Sequence, residues 1–412
     1  FIVYRGLLGF LFFYWMWGVA IYLMHTFRIN YLFLFKLPAD DTKTFDVVLK
    51  EAASITVVWC VSFILFNKAV QGTISHVVKP PVYPAVTFIL AFLLVAFPTP
   101  RRRFMILVVA QVVTAPLWRV SFFHSYVGDV ITSLVKPLTD AAFSLCFVVS
   151  GEWLSDHDTA SESSCLHSWT YTHIVTPMIA ALPLWFRLMQ SLRTYKDTNH
   201  RWPHLGNALK YAAAHIVVLF GAFHPELTHA GGQLSLYQIL WISSLVVSTL
   251  YTYFWDITQD WGLARGVLEG DGLLRSTRLL HKTWPYHLAI PLDLGLRFTF
   301  VLTLLPGGRM PWGVSLMPAL LLAIALVEVF RRSMWTILRL EWQQVKSVGD
   351  AVHFIPTHFD HALHHDKVPR CNVAVHPTQV QRKVPRWRLY TELGGVAGIV
   401  VALAITAAII NV

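Results

Sequence analysis

Charge is what this sequence has least of. Asp, Glu, Lys and Arg together make up 14% of its 412 residues, against about 25% in ordinary soluble domains. A soluble fold of this size would lack the charged groups to cover its surface, and intrinsic disorder is excluded because apolar residues reach 55%. Cysteine is rarer still. Cys60, Cys146, Cys165 and Cys371 are scattered with no CxxC pair, so their spacing indicates neither a disulfide framework nor a thiolate metal site. A Walker loop, HExxH, GxSxG and a dinucleotide glycine fingerprint are all missing, which leaves hydrolases, kinases and oxidoreductases without a signature. No catalytic residue, metal or cofactor is therefore expected. Solenoid repeats and low-complexity tracts are absent as well. The chain opens on Phe1 with no basic n-region or cleavage site, so a truncated N-terminus is expected rather than a signal peptide.

What fills the space is apolar. A helix needs about 20 mostly apolar residues to cross the hydrocarbon core, because its backbone polar groups must be satisfied within the segment. Ten such stretches precede residue 342: 7–24, 47–66, 82–97, 104–123, 127–150, 172–192, 205–224, 236–257, 286–305 and 313–338; an eleventh covers 390–410. The expected fold is all-α, a polytopic membrane helix bundle. Lys and Arg (33) outnumber Asp and Glu (23), a net charge of +10, yet several of these cations sit inside apolar runs, so nucleic acid is not the expected partner. Membrane lipid is.

Loop charges orient the bundle, since Lys and Arg favour the cytoplasmic side. The loops at 152–162 and 225–234 have neither, whereas Arg193, Lys196 and Arg201 share one loop and Arg265, Arg275, Arg278 and Lys282 another. The two basic loops read as cytoplasmic, with Arg101, Arg102 and Arg103 falling on the opposite side.

Ionisable residues inside the apolar helices carry the functional signal, because each costs about 2.5–3.5 kcal/mol at mid-bilayer without a partner or water. Lys136 and Asp140 stand at i and i+4, as do Asp256 and Asp260; Asp293 precedes Arg297 by one turn; Glu328 lies three and four residues before Arg331 and Arg332. Arg187, Lys210 and Tyr211 complete the set. For any one of them an interhelical salt bridge that only holds the bundle together is an equally good account. Five cations (Arg187, Lys210, Arg297, Arg331 and Arg332) near helix centres or ends argue instead for a cavity that accepts an anion. Guanidinium forks and a lysine point charge suit a small tetrahedral oxyanion, with phosphate the leading choice. The charge is concentrated in the fifth to tenth helices, so the expected organisation is 1–126 as peripheral helices, 127–342 as a core surrounding the pathway, 343–389 as a basic connector and 390–412 as an extra helix. Histidines 353, 358, 361, 364 and 365 have helical spacing, but a solvated connector explains them better than a metal site. The turn at 269–272 lacks the ligand spacing of a calcium loop.

At these same positions the sequence resembles the EXS-domain phosphate exporters, which include the animal retrovirus-receptor exporter and plant root exporters. The matching runs are Thr114-Ala115-Pro116, Pro183-x-Trp185-x-Arg187, Pro203-His204-Leu205-x-Asn207-Ala208-x-Lys210-Tyr211, Trp255-Asp256 with Asp260-Trp261-Gly262-Leu263, Leu296-Arg297-Phe298, and Glu328-Val329-Phe330-Arg331-Arg332-x-x-Trp335. The resemblance implies ten helices, often in a homodimer, enclosing an export path for inorganic phosphate. It also implies phosphate-contacting roles for Asp140, Lys210, Tyr211, Asp256, Arg297, Glu328, Arg331 and Arg332, with Asp260 nearby. Phe300 stands where the family has a gating Trp, and Phe300 and Trp335 are the expected gate. The family's preceding SPX domain is not in this sequence, and members without it are associated with the Golgi, so plasma membrane and Golgi are both compatible locations. Transport of another anion, or a sorting or retention role in the Golgi membrane, is the alternative.

Overall fold

Residue patterning and turn chemistry divide the chain into helices that are more often broken than straight. The computed structural model describes residues 2–37, 43–74, 78–97, 99–154, 163–223, 236–264, 272–275, 277–304 and 317–348, with 387, 391, 394 and 395. Among these residues there is helix and no strand. In chain order the helices are α1 (Ile2–Thr26), α2 (Tyr31–Phe35), α3 (Phe45–Val70), α4 (Val82–Ala96), α5 (Pro100–Val113), α6 (Phe122–Ser133), α7 (Val135–Val149), α8 (Ser164–His167), α9 (Thr176–Thr198), α10 (His204–Phe223), α11 (Leu236–Trp255), α12 (Trp284–Arg297) and α13 (Met317–Val348). The expected eleventh span, the basic connector and its histidines fall almost wholly outside the described residues.

Among the described residues three stretches are long and apolar enough to cross a membrane alone: α1, α3 and the 28 residues Tyr171–Thr198. The stretch 127–150, expected to be one span, is a pair: α6 and α7 meet at a 69° bend, with Pro137 in the first turn of α7, where its missing N–H costs nothing. Counted together, they make a fourth span. By contrast α4 and α5 have 15 and 14 residues, short of the about 20 that a crossing needs. The expected span 104–123 ends early: α5 stops at Val113 and α6 starts afresh at Phe122, where Ser121 and His124 form a capping box.

The first helix packs against α3, α7 and α13, and small residues set how closely: a Cβ at Gly6 would lie 2.8 Å from Asp140 Cβ, and one at Gly9 would lie 2.7 Å from Pro137 Cγ. The long α13 runs through the core, burying Trp335 and Leu340. Its C-terminal turns clasp two neighbours. Gln344 accepts from Asn30 N at 2.7 Å and donates to Arg28 O at 3.1 Å, while the fully buried Glu341 pairs with Arg275 at 2.6 Å and accepts from Leu279 N and the Tyr286 hydroxyl.

At the opposite end, Cys146 and Cys165 form a disulfide that ties α7 to α8. The cysteine spacing, which indicated no disulfide framework, gave no sign of this bridge: 19 residues apart and in no motif, the two become neighbours only because the chain folds back after α7. Glu152 stands beside the bridge, accepting from Ser163 Oγ at 2.5 Å, from Ser164 Oγ and from Cys165 N at 3.2 Å. Partial burial raises its pKa, but these donors outweigh that and hold the carboxyl below its ordinary range.

Candidate functional site

Irregular backbone brings the charges together. After α11 the chain makes one π turn over Asp256–Asp260, and after α12 it tightens into a 3₁₀ helix over Phe298–Leu304, immediately past Arg297. Such breaks within helical runs recur at functional sites. The π turn points Asp256 and Asp260 at different partners, although the i, i+4 spacing put them on one face.

Asp256 belongs to an inner network. Arg297 ion-pairs with Asp256 and, through Nε, with Asp293 at 2.7 Å. Arg331 reaches Asp293 at 3.1 Å and Asp256 at 3.7 Å, and grips Glu328 with two bonds of 2.7 and 2.8 Å. Ser133 Oγ donates to Glu328 at 2.6 Å and accepts from Arg332 Nε at 2.7 Å. Among the described residues Arg332 itself meets only hydroxyls and the ring face of Trp335, 4.6 Å away. The expected contact of Glu328 with both arginines thus holds for Arg331 alone.

A second cluster centres on Asp129, which the sequence reading passed over. Arg187 holds it with bonds of 2.8 and 3.1 Å, Tyr211 donates its hydroxyl to it, and Gln190 accepts from Arg187 at 2.6 Å. Arg187 and Tyr211 are therefore occupied with one another and with Asp129. Gly128 makes room for them: a Cβ there would sit 2.5 Å from Arg187 Cδ. The signal that might have found Asp129 was a lone carboxylate at the edge of an apolar run.

Beside this second cluster lies a cavity of about 160 Å³ whose wall includes Asp129, Arg187, Lys210, Asp260, Trp335 and Arg339. That is ample for a small anion with water, since one water occupies about 10–15 Å³ by this measure. Lys210 is 5% exposed and has no carboxylate within 4 Å among the described residues. Only ring faces attend its ammonium, Tyr211 at 4.6 Å and Trp255 at 5.5 Å. Asp260 is nearly as buried, makes no side-chain hydrogen bond among the described residues, and meets Arg339 only at 3.5 Å. Trp335, stacked on Tyr126, separates this cavity from the inner network.

The remaining predicted residues are placed elsewhere. Asp140 is off the cavity wall, held by Arg5 of α1 through two bonds of 2.7 Å and by Lys136 at 3.0 Å. Phe300 lies in the 3₁₀ helix after Arg297, and its side chain is outside the described residues. No group of three or more potential metal ligands occurs among the described residues.

The sequence profile of the EXS family matches residues 1–345. The chain is 32% identical over 340 residues to SPX and EXS domain-containing protein 1 of Dictyostelium discoideum, covering 80% of this chain and 35% of that protein. To the xenotropic and polytropic retrovirus receptor 1 homolog of Danio rerio it is 31% identical over 369 residues, 84% and 50% of the two chains. To human solute carrier family 53 member 1 it is 28% identical over 361 residues, 84% and 51%. The chain spans about a third to a half of the length of these relatives.

Proposed function

The chain belongs to the EXS family, and from that premise we propose that it carries inorganic phosphate across a membrane, out of the cytosol, rather than acting as an enzyme. One observation carries the reading: Lys210 is buried in the wall of a cavity without a carboxylate in contact. A desolvated cation in that position favours an anion beside it. The solute-carrier name of a relative points to the same class.

In this reading phosphate enters from the end bearing the basic loops and settles against Lys210. It then moves past Trp335 to Arg332, Arg331 and Arg297, whose carboxylate partners it displaces in turn, and leaves toward Asp140 and the disulfide-bearing end. Phe300 and Trp335 form the gate. Movement is passive: a divalent anion leaving a cell at about 100 mV, inside negative, gains about 4.6 kcal/mol, so no coupling ion is needed. Lipid covers the outer helix faces, and either the plasma membrane or the Golgi suits this chemistry. The test is radiolabelled phosphate flux in proteoliposomes. Arg331→Ala with Arg332→Ala should abolish it; flux that survives this double change, or never occurs, overturns the proposal.

A further inference from the structure

We propose, building on the phosphate reading, that Asp260 is the residue by which this cavity tells phosphate from sulfate. The cavity presents an ammonium at Lys210 with no carboxylate within 4 Å and, on the same wall, a carboxylate at Asp260 that accepts no hydrogen bond, both among the described residues. No ion pair forms between them within 4 Å among the described residues, and Asp260's contact with Arg339 is long at 3.5 Å. A ligand that satisfies both groups must offer negative oxygens to Lys210 and a proton to Asp260. Inorganic phosphate does so near neutral pH, because it keeps at least one P–O–H. Sulfate keeps none, so it would meet Asp260 lone pair against lone pair, with the carboxylate left without a donor.

Sites built to receive a hydroxyl reject analogues that lack it far more strongly than pockets that only measure size. The other acid on the wall, Asp129, cannot serve this way, because Arg187 and Tyr211 already occupy it. Selectivity then follows from proton content rather than from radius. Arsenate, protonated like phosphate, is accepted, while selenate, unprotonated like sulfate, is refused.

The experiment is phosphate flux from proteoliposomes holding the whole chain, with arsenate, sulfate and selenate as competitors. Arsenate should compete within a few-fold of phosphate, and sulfate and selenate at least a hundredfold more weakly. In Asp260→Asn, whose amide can donate to any oxyanion, the gap to sulfate should narrow at least tenfold, whatever flux remains. Equal competition by sulfate in the unmodified chain overturns the inference and leaves phosphate transport standing, whereas absence of any anion flux fails the transport reading itself. A gap that is unchanged in Asp260→Asn also overturns it. Should that variant fail to fold, the four-anion series on the unmodified chain decides alone.

Discussion

Replacing Lys210 by Met separates a lysine kept for a ligand from one kept for the fold. A lysine at the bilayer centre costs about 2.5–3.5 kcal/mol, and methionine of similar length relieves that cost. Against this, the variant loses attraction to the loosely compensated Asp260. At an effective dielectric of 20 that amounts to at most about 4 kcal/mol at 4 Å, and less at the longer separation present here. Asp129 and Asp256 have their own guanidinium partners and lose little. The two terms nearly cancel, so Lys210→Met should lie within about 1 kcal/mol of the parent in thermal unfolding.

Arg331→Met is the contrast. It leaves the buried Asp293 and the half-buried Glu328 without their fork, and breaking a buried pair costs about 3–5 kcal/mol. Phosphate supplies the second readout: at a hundredfold over its Kd, a ligand of the folded state stabilises by about 2.7 kcal/mol, and that increment should vanish in Lys210→Met. If Lys210→Met unfolds as readily as Arg331→Met, or keeps the full phosphate increment, the ammonium is structural and the argument from an unpaired cation fails.

Gly128→Ala should lower phosphate flux at least tenfold with little loss of expression, because its Cβ would push Arg187 off Asp129; normal flux would show that the cluster shifts freely. Asp140→Asn should cost about 3 kcal/mol by stranding Arg5 and Lys136. Adding Arg5→Met should restore part of it, which a double-mutant cycle measures. Peptide mapping without reduction should link Cys146 to Cys165 and leave Cys60 open to alkylation. Since Glu152 beside that bridge has a depressed pKa, its contribution is present above the ordinary carboxylate range and is lost only as pH falls through the lowered value. Thermal stability should accordingly not change between about pH 8 and pH 5.5 through this group.

Local spacing made part of the site legible. Glu328 with Arg331, Asp293 with Arg297, and Lys136 with Asp140 are neighbours on one helix and pair as their spacing predicts. Partners far apart in sequence were not legible: Asp129 meets Arg187 across 58 residues and Arg5 meets Asp140 across 135. Periodicity says which face a residue occupies, and says nothing about which helix comes to meet that face. The break at Leu134 was equally hidden, because it falls inside the single apolar stretch 127–150 while the backbone there turns by 69°.

Those long-range partners change what the charges mean. In sequence, five cations stand out as a surplus. In the structure Arg187, Lys210, Arg297, Arg331, Arg332 and Arg339 stand among Asp129, Asp256, Asp260, Asp293 and Glu328, so most of that surplus is offset among the described residues. A strongly cationic conduit would trap a divalent anion, because conduction requires binding weak enough to leave. On the proposed phosphate path, near-neutrality would supply that weakness: each guanidinium that phosphate takes would be drawn from a carboxylate, and that carboxylate would recover it as phosphate moves on. The rearrangement proposed is therefore an exchange of acceptors around fixed arginines, in which the carboxylates would set how long the anion stays at each one.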